Sequence, residues 1–195
     1  MRRLFLLGAL LFILVIAGCS NLESDSETDS QNEGKDMNSQ EDTAVVGEVD
    51  DLNLQVQKSD EEAGITIEDS PIYRALAEAI DVDPKMGIPN DFSLYPYDIA
   101  LNEDGSSSII FLAINRLEDS IKDVSFNLTF GHQNGDYIFK DMEIVLPEEQ
   151  IGVIEADSSV PFLIDITPED EAIFETLDMN NVYMELANFK MDAVE

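Results

Sequence analysis

Val124-Ser-Phe-Asn-Leu-Thr-Phe130 decides the fold. Val124, Phe126, Leu128 and Phe130 alternate with Ser125, Asn127 and Thr129. Successive side chains of a strand point to opposite faces, so this stretch reads as a strand with one buried face and one wet face. Next to it, Gly131-His-Gln-Asn-Gly-Asp136 supplies a hairpin loop, and residues 137–146 supply the partner strand. Upstream, Ile109-Ile-Phe-Leu-Ala-Ile114 is apolar on both faces, as a central strand would be. Asn102-Glu-Asp-Gly105 is a tight turn after a strand over 93–101. Downstream come Pro147-Glu-Glu-Gln150, short strands near 152–155 and 160–166, a helical turn over 168–177 and a last strand over 182–191.

About seven short strands with regular turns predict a mainly β chain. The expected architecture is an immunoglobulin-like antiparallel β-sandwich over 92–195. The chain has one Cys and no Trp, so the cysteine–tryptophan signature of antibody domains is absent and the likeness is architectural only. One short N-terminal helix precedes the sandwich, in a helix-and-connector segment over 67–91. Ser70 is a good N-cap and Pro71 fits the first helical position. Ile72, Leu76 and Ile80 then repeat every four residues on one face. Pro84 restricts the residue before it, and the helix should end near Asp81.

Residues 19–66 are poor in apolar side chains and rich in charge, which predicts a disordered acidic tether. Its apolar islands are Ala44-Val-Val-Gly-Glu-Val49 and Leu52-Asn-Leu-Gln-Val56, which could dock as an edge strand. Ahead of the tether, Arg2 and Arg3 precede an apolar run that ends in Ile16-Ala17-Gly18-Cys19. This resembles a bacterial lipoprotein signal peptide with its lipobox, over residues 1–18. The alternative, a membrane-spanning helix, needs about 20 apolar residues, and residues 4–17 give only 14. The resemblance implies cleavage between Gly18 and Cys19 and lipidation of the Cys19 thiol, palmitate being a typical acyl chain. It therefore implies a cell-membrane anchor facing the extracellular side. Two or more acyl chains hold stably, because each buried CH₂ is worth about 0.8 kcal/mol. Arg2-Arg3 also resembles a twin-arginine export motif, but Met1 stands where that motif has Ser or Thr, which favours ordinary secretion.

In the body, Phe111-Leu-Ala-Ile-Asn-Arg116, the strand 124–130 and Asp157-Ser-Ser-Val-Pro-Phe162 follow an order that resembles the small SLAP-type domains of Gram-positive envelope proteins. The resemblance covers about 75 residues, and Pro161-Phe162 stands where such domains carry Pro-Trp. It implies a surface for binding in the envelope.

Composition narrows the function classes. The formal charge is −32; removing residues 1–18 takes away two arginines and no acid, leaving 8 basic against 42 acidic residues, or −34. Such a surface repels nucleic acid. Zinc is excluded by the single His132 and the absence of a cysteine after Cys19. Asp81-Val-Asp83 begins like an EF-hand loop, but Lys85 and Met86 stand where an acid and Gly belong. Asn102-Glu-Asp-Gly105 and Asn134-Gly-Asp136 could hold Ca²⁺ weakly, although turn chemistry explains both. No catalytic residue, metal site or cofactor is expected. His132 reads as a solvated loop histidine, and Glu148-Glu149 and Glu169-Asp170-Glu171 as solvated charge runs. Tyr95 and Tyr97 are the candidate binding surface, since alternate strand residues share a face; ordinary packing is the competing reading.

The reading is a monomeric, membrane-anchored, non-catalytic Ig-like module for envelope interaction with a protein or a wall polymer. The alternatives are a solute- or Ca²⁺-binding accessory lipoprotein and, third, a hydrolase.

Overall fold

The alternation that opens the sequence reading places Val124, Phe126, Leu128 and Phe130 at 1% exposure or less. They lie on β4 (Ile121–His132), which is the middle of a three-stranded sheet in a computed structural model that describes residues 49–194. β5 (Tyr137–Leu146) and β7 (Val182–Ala193) flank it, both antiparallel. Gly131 sits at φ +155, where a Cβ would fall 2.5 Å from the Asp136 carbonyl oxygen, so only glycine fits this hairpin.

β3 (Ser107–Asn115) is the strand that is apolar on both faces, and it has a cover on each side. It is central in a second sheet of order β1-β6-β3-β2, with β2 at Phe92–Leu101 and β6 at Ser158–Ile166. Ile109, Phe111 and Ala113 point into the core between the sheets. Ile110, Leu112 and Ile114 point the other way, against Leu76 and Ile80 of helix α2 (Pro71–Val82). The three layers are therefore α2, the β3 sheet and the β4 sheet. Among the described residues the chain is mainly β, with seven strands in two sheets and four short helices.

α2 begins as its sequence demands. Ser70 caps it by accepting from the Tyr73 N–H, and Pro71 takes the first turn. Leu76 and Ile80 are buried and Ile72 is partly buried, as the spacing predicts. The helical turn expected over 168–177 is α4 (Pro168–Phe174), and two further short helices lie outside the sequence expectation: α1 (Lys58–Glu62) and α3 (Glu148–Ile151). The segment 152–155 makes only one bridge, Ile154 with Ile121, rather than a strand.

The tether read over 19–66 is corrected from residue 49 onward. Asn53–Leu54 forms β1, which pairs in parallel with β6, an exception to the antiparallel pattern. It also completes the strand count from outside 92–195. The polar residues that make this segment read as a tail are what fix it. Gln55 Nε2 donates to the Val153 carbonyl at 3.1 Å, and its Oε1 accepts from Glu155 N–H at 2.9 Å. Gln57 Nε2 donates to the Pro161 carbonyl at 2.8 Å. Residues 1–48, including the signal segment, Gly18 and Cys19, lie outside the described residues.

Tyr73 clips α1 to α2. Its hydroxyl accepts from Gln57 N–H at 2.9 Å and donates to Asp60 Oδ2 at 2.8 Å. Burial, reinforced by the Asp60 carboxylate, holds this hydroxyl well above the usual tyrosine range. The fold thus favours the neutral form. Its stabilisation is intact below about pH 10, where a free tyrosine titrates, and is lost as pH rises from there toward the folded value. Tyr73→Phe leaves Gln57 N–H without that acceptor and should cost about 1–3 kcal/mol in urea unfolding. It should also flatten the loss of stability above pH 10; an unchanged alkaline slope would show that Tyr73 does not couple ionisation to folding.

Candidate interaction groove

β2 and β7 are edge strands of their respective sheets and lie on the same side of the sandwich. At one end the sheets close: the Phe92 and Phe189 rings are 4.9 Å apart. Toward the other end they open into a groove of about 480 Å³, with α4 and the loop after it at its margin. α4 is held by a capping box in which Thr167 Oγ1 accepts from Asp170 N–H and the Asp170 carboxylate accepts from Thr167 N–H. Phe174 of this helix reaches the Phe130 ring at 6.3 Å.

The loop after α4 is tightly braced. Asn181 Oδ1 accepts from Asp178 N–H at 2.7 Å, Asn181 Nδ2 donates to the Thr176 carbonyl at 2.9 Å, and Asp178 Oδ1 accepts from Asn180 N–H at 2.7 Å. On this frame Met179 stands 95% exposed at the groove margin. Leu94, Leu177, Val182 and Met184 line the groove below it, and Asp178 is the one charged lining residue. Met179 thus extends the apolar lining of the groove out to the surface.

Both tyrosines of the candidate surface border this groove, with different roles. Tyr95 is 42% exposed at the margin. Tyr97 is the extra residue of a bulge between Pro96 and Asp98, packs against the α2 cluster and donates its hydroxyl to the Ala75 carbonyl at 3.2 Å. It belongs to the packing of the helix layer more than to an open aromatic platform. The sequence reading missed Phe174, Leu177 and Met179. The available signal was four large apolar residues, these three and Ile173, inside the acidic stretch 168–179.

The other chemical candidates are occupied by local structure. His132 Nε2 lies 2.8 Å from Thr176 Oγ1, whose own proton goes to the Ile173 carbonyl at 2.7 Å, so the imidazole donates and ties the hairpin to the end of α4. Asp104 accepts from the hydroxyl and the N–H of Ser106, which hold its carboxyl below the usual range. Asn134 and Asp136 bond each other across their turn. Glu148 pairs with Lys122 at 2.9 Å and raises the lysine pKa. Glu171 accepts from Ser107 Oγ at 2.9 Å. Among the described residues no three His, Cys, Asp or Glu side chains gather as metal ligands, and no helix is long and apolar enough to cross a membrane. A second groove, of about 620 Å³ on the β5–β6 side, is more polar, with Gln57, Asp60, Glu143, Gln150 and Asp165 along it.

No protein-family model matches the chain, and neither the curated proteins nor the solved structures give a significant match.

Proposed function

We propose that this protein is a lipid-anchored, extracellular, non-catalytic module that engages an envelope protein through the β2–β7 groove. The observation that carries this reading is the groove itself: an apolar floor with Tyr95 and the fully exposed Met179 at its margin. Such a surface gives binding energy through buried apolar area, with aromatic and methionine side chains as anchors. The anchor rests on the lipobox resemblance at Ile16-Ala17-Gly18-Cys19. Among the two classes of partner, the acidic surface favours protein, because anionic wall polymers would be repelled.

The sandwich reads as Ig-like by its pairings. Counting from β2, the first strand pairs with the second, the second with the fifth, and the third with the sixth. Those are the pairings of an immunoglobulin sandwich. The fourth, β5, pairs with the third, and β1 takes the place beside the fifth.

Two measurements test this reading. Cys19→Ser should move the protein from the membrane fraction to the medium and abolish palmitate labelling. Tyr95→Ser combined with Met179→Asp changes two exposed residues and should shift stability by only about 0.5 kcal/mol per site, yet remove the envelope proteins that co-purify with the wild type. Identical co-purifying proteins from the variant would exclude the groove as the contact site.

A further inference from the structure

We propose that β7 accepts an extra β-strand from the partner, and that this strand is an extended peptide with apolar side chains on its inner face and lysine or arginine on its outer face. This rests on the Ig-like, non-catalytic reading above and names the partner of the same groove. β7 pairs with β4 on one side and, among the described residues, with no strand on the other.

Exposed edges are normally blunted by proline, lysine or bulges. β2 is blunted by Pro96 and by the bulge that follows it. The far half of β7 carries register shifts, Asn188 at φ +55, and Lys190. Residues 182–187 have none of these and stay in continuous register with β4. Val182 is tied back, its N–H donating to the Asp178 carbonyl and its carbonyl accepting from Gln133 Nε2, so residues 183–187 offer a strand of roughly 17 Å bordering the groove. A strand added there would point every second side chain over Leu94, Leu177 and Met184, filling the groove.

Charge complementarity sets the rest of the partner. Glu185 is exposed on this run, Asp178 lines the groove, and no basic residue lines it. Residues 49–194 hold 32 carboxylates against 7 basic side chains, and only three ion pairs form among the described residues. A basic strand therefore gains from the surrounding field, and an acidic one is repelled.

The test uses the full-length chain, isotope-labelled, and three probe peptides. One alternates valine and lysine, one replaces lysine by glutamate, and one is the lysine peptide with a central proline. The lysine peptide should shift amide signals within 183–187 and at Leu94 and Tyr95. It should slow hydrogen exchange of the outward β7 amides at least about tenfold. Binding should weaken with added salt, and Glu185→Lys should lower affinity for the lysine peptide and raise it for the glutamate peptide. Equal binding of the proline peptide, or shifts spread over the acidic surface, would mean charge screening without strand addition and would overturn the proposal. No binding by any peptide would overturn it too. If the Tyr95→Ser, Met179→Asp variant still loses its co-purifying proteins, the groove reading survives with another kind of occupant; if it keeps them, both fall.

Discussion

Arg116→Met should destabilise the protein by about 3–5 kcal/mol, the range for removing one member of a buried ion pair. The Arg116 side chain is 1% exposed and all of its N–H groups are used. Nη1 donates to Asp157 Oδ1 and to the Asp50 carbonyl, each at 2.8 Å. Nε donates to the Met86 carbonyl at 3.1 Å, and Nη2 donates to the Met86 and Pro84 carbonyls at 3.0 and 3.1 Å. One guanidinium thus joins the segment leading into β1, the loop after α2 and the start of β6. Methionine fills similar volume but leaves the Met86 and Asp50 carbonyls without the donors that Arg116 supplies, takes one of two donors from the Pro84 carbonyl, and strands the Asp157 carboxylate, which is 31% exposed and only partly rehydrated. Denaturant unfolding gives the magnitude. Hydrogen exchange should show the loss first in Leu52 and Asn53 N–H, which bond the Pro84 and Asp157 carbonyls. A cost under about 1 kcal/mol would place Arg116 among ordinary surface pairs.

Phe111→Ala should cost about 3–5 kcal/mol, by a different mechanism. Phe111 is fully buried on β3 and meets both sheets. Its ring stacks on Phe162 of its own sheet at 5.5 Å and meets Phe130 of the facing sheet edge-on at 5.4 Å. Deletion leaves a cavity at the joint of the sandwich that rigid strands cannot close. Leu112→Ala, one residue along, empties the helix side instead. Its effect should couple to, rather than simply add to, that of α2 variants at Leu76 or Ile80, which share its cluster, and it should leave the Phe130 and Phe162 ring signals in place. Loss of those signals in Leu112→Ala would contradict the three-layer arrangement.

The sheets were legible because their cause is local. The alternation of 124–130 fixes which face of β4 is buried, and the doubly apolar run 109–114 requires two covers, which the opposite sheet and α2 supply. The helix was legible from Ser70, Pro71 and the four-residue repeat. The docking of 49–57 was legible only in part: the apolar island 52–56 offered an edge strand, as β1 is, but the rest of the segment reads as a tail by composition, and its place depends on long-range bonds from Gln55 and Gln57 to strand β6 and its approach. Arg116 was legible only as the end of a strand-and-turn motif; its carbonyl and carboxylate partners come from three distant segments. The groove was half legible. Tyr95 was found by alternation, whereas Phe174 is brought there by α4 and Met179 by the hydrogen-bonded loop after it, at the open end of the sandwich.

The most direct test of the groove as the working surface is photo-cross-linking in intact membranes. The photoreactive residue is placed at position 179 and, separately, at the exposed loop position Glu118 outside the groove. The expected result is one dominant adduct with an envelope protein from position 179 only, suppressed by the valine–lysine peptide and unaffected by its glutamate counterpart. The same adducts from both positions, or none from 179, would contradict the account.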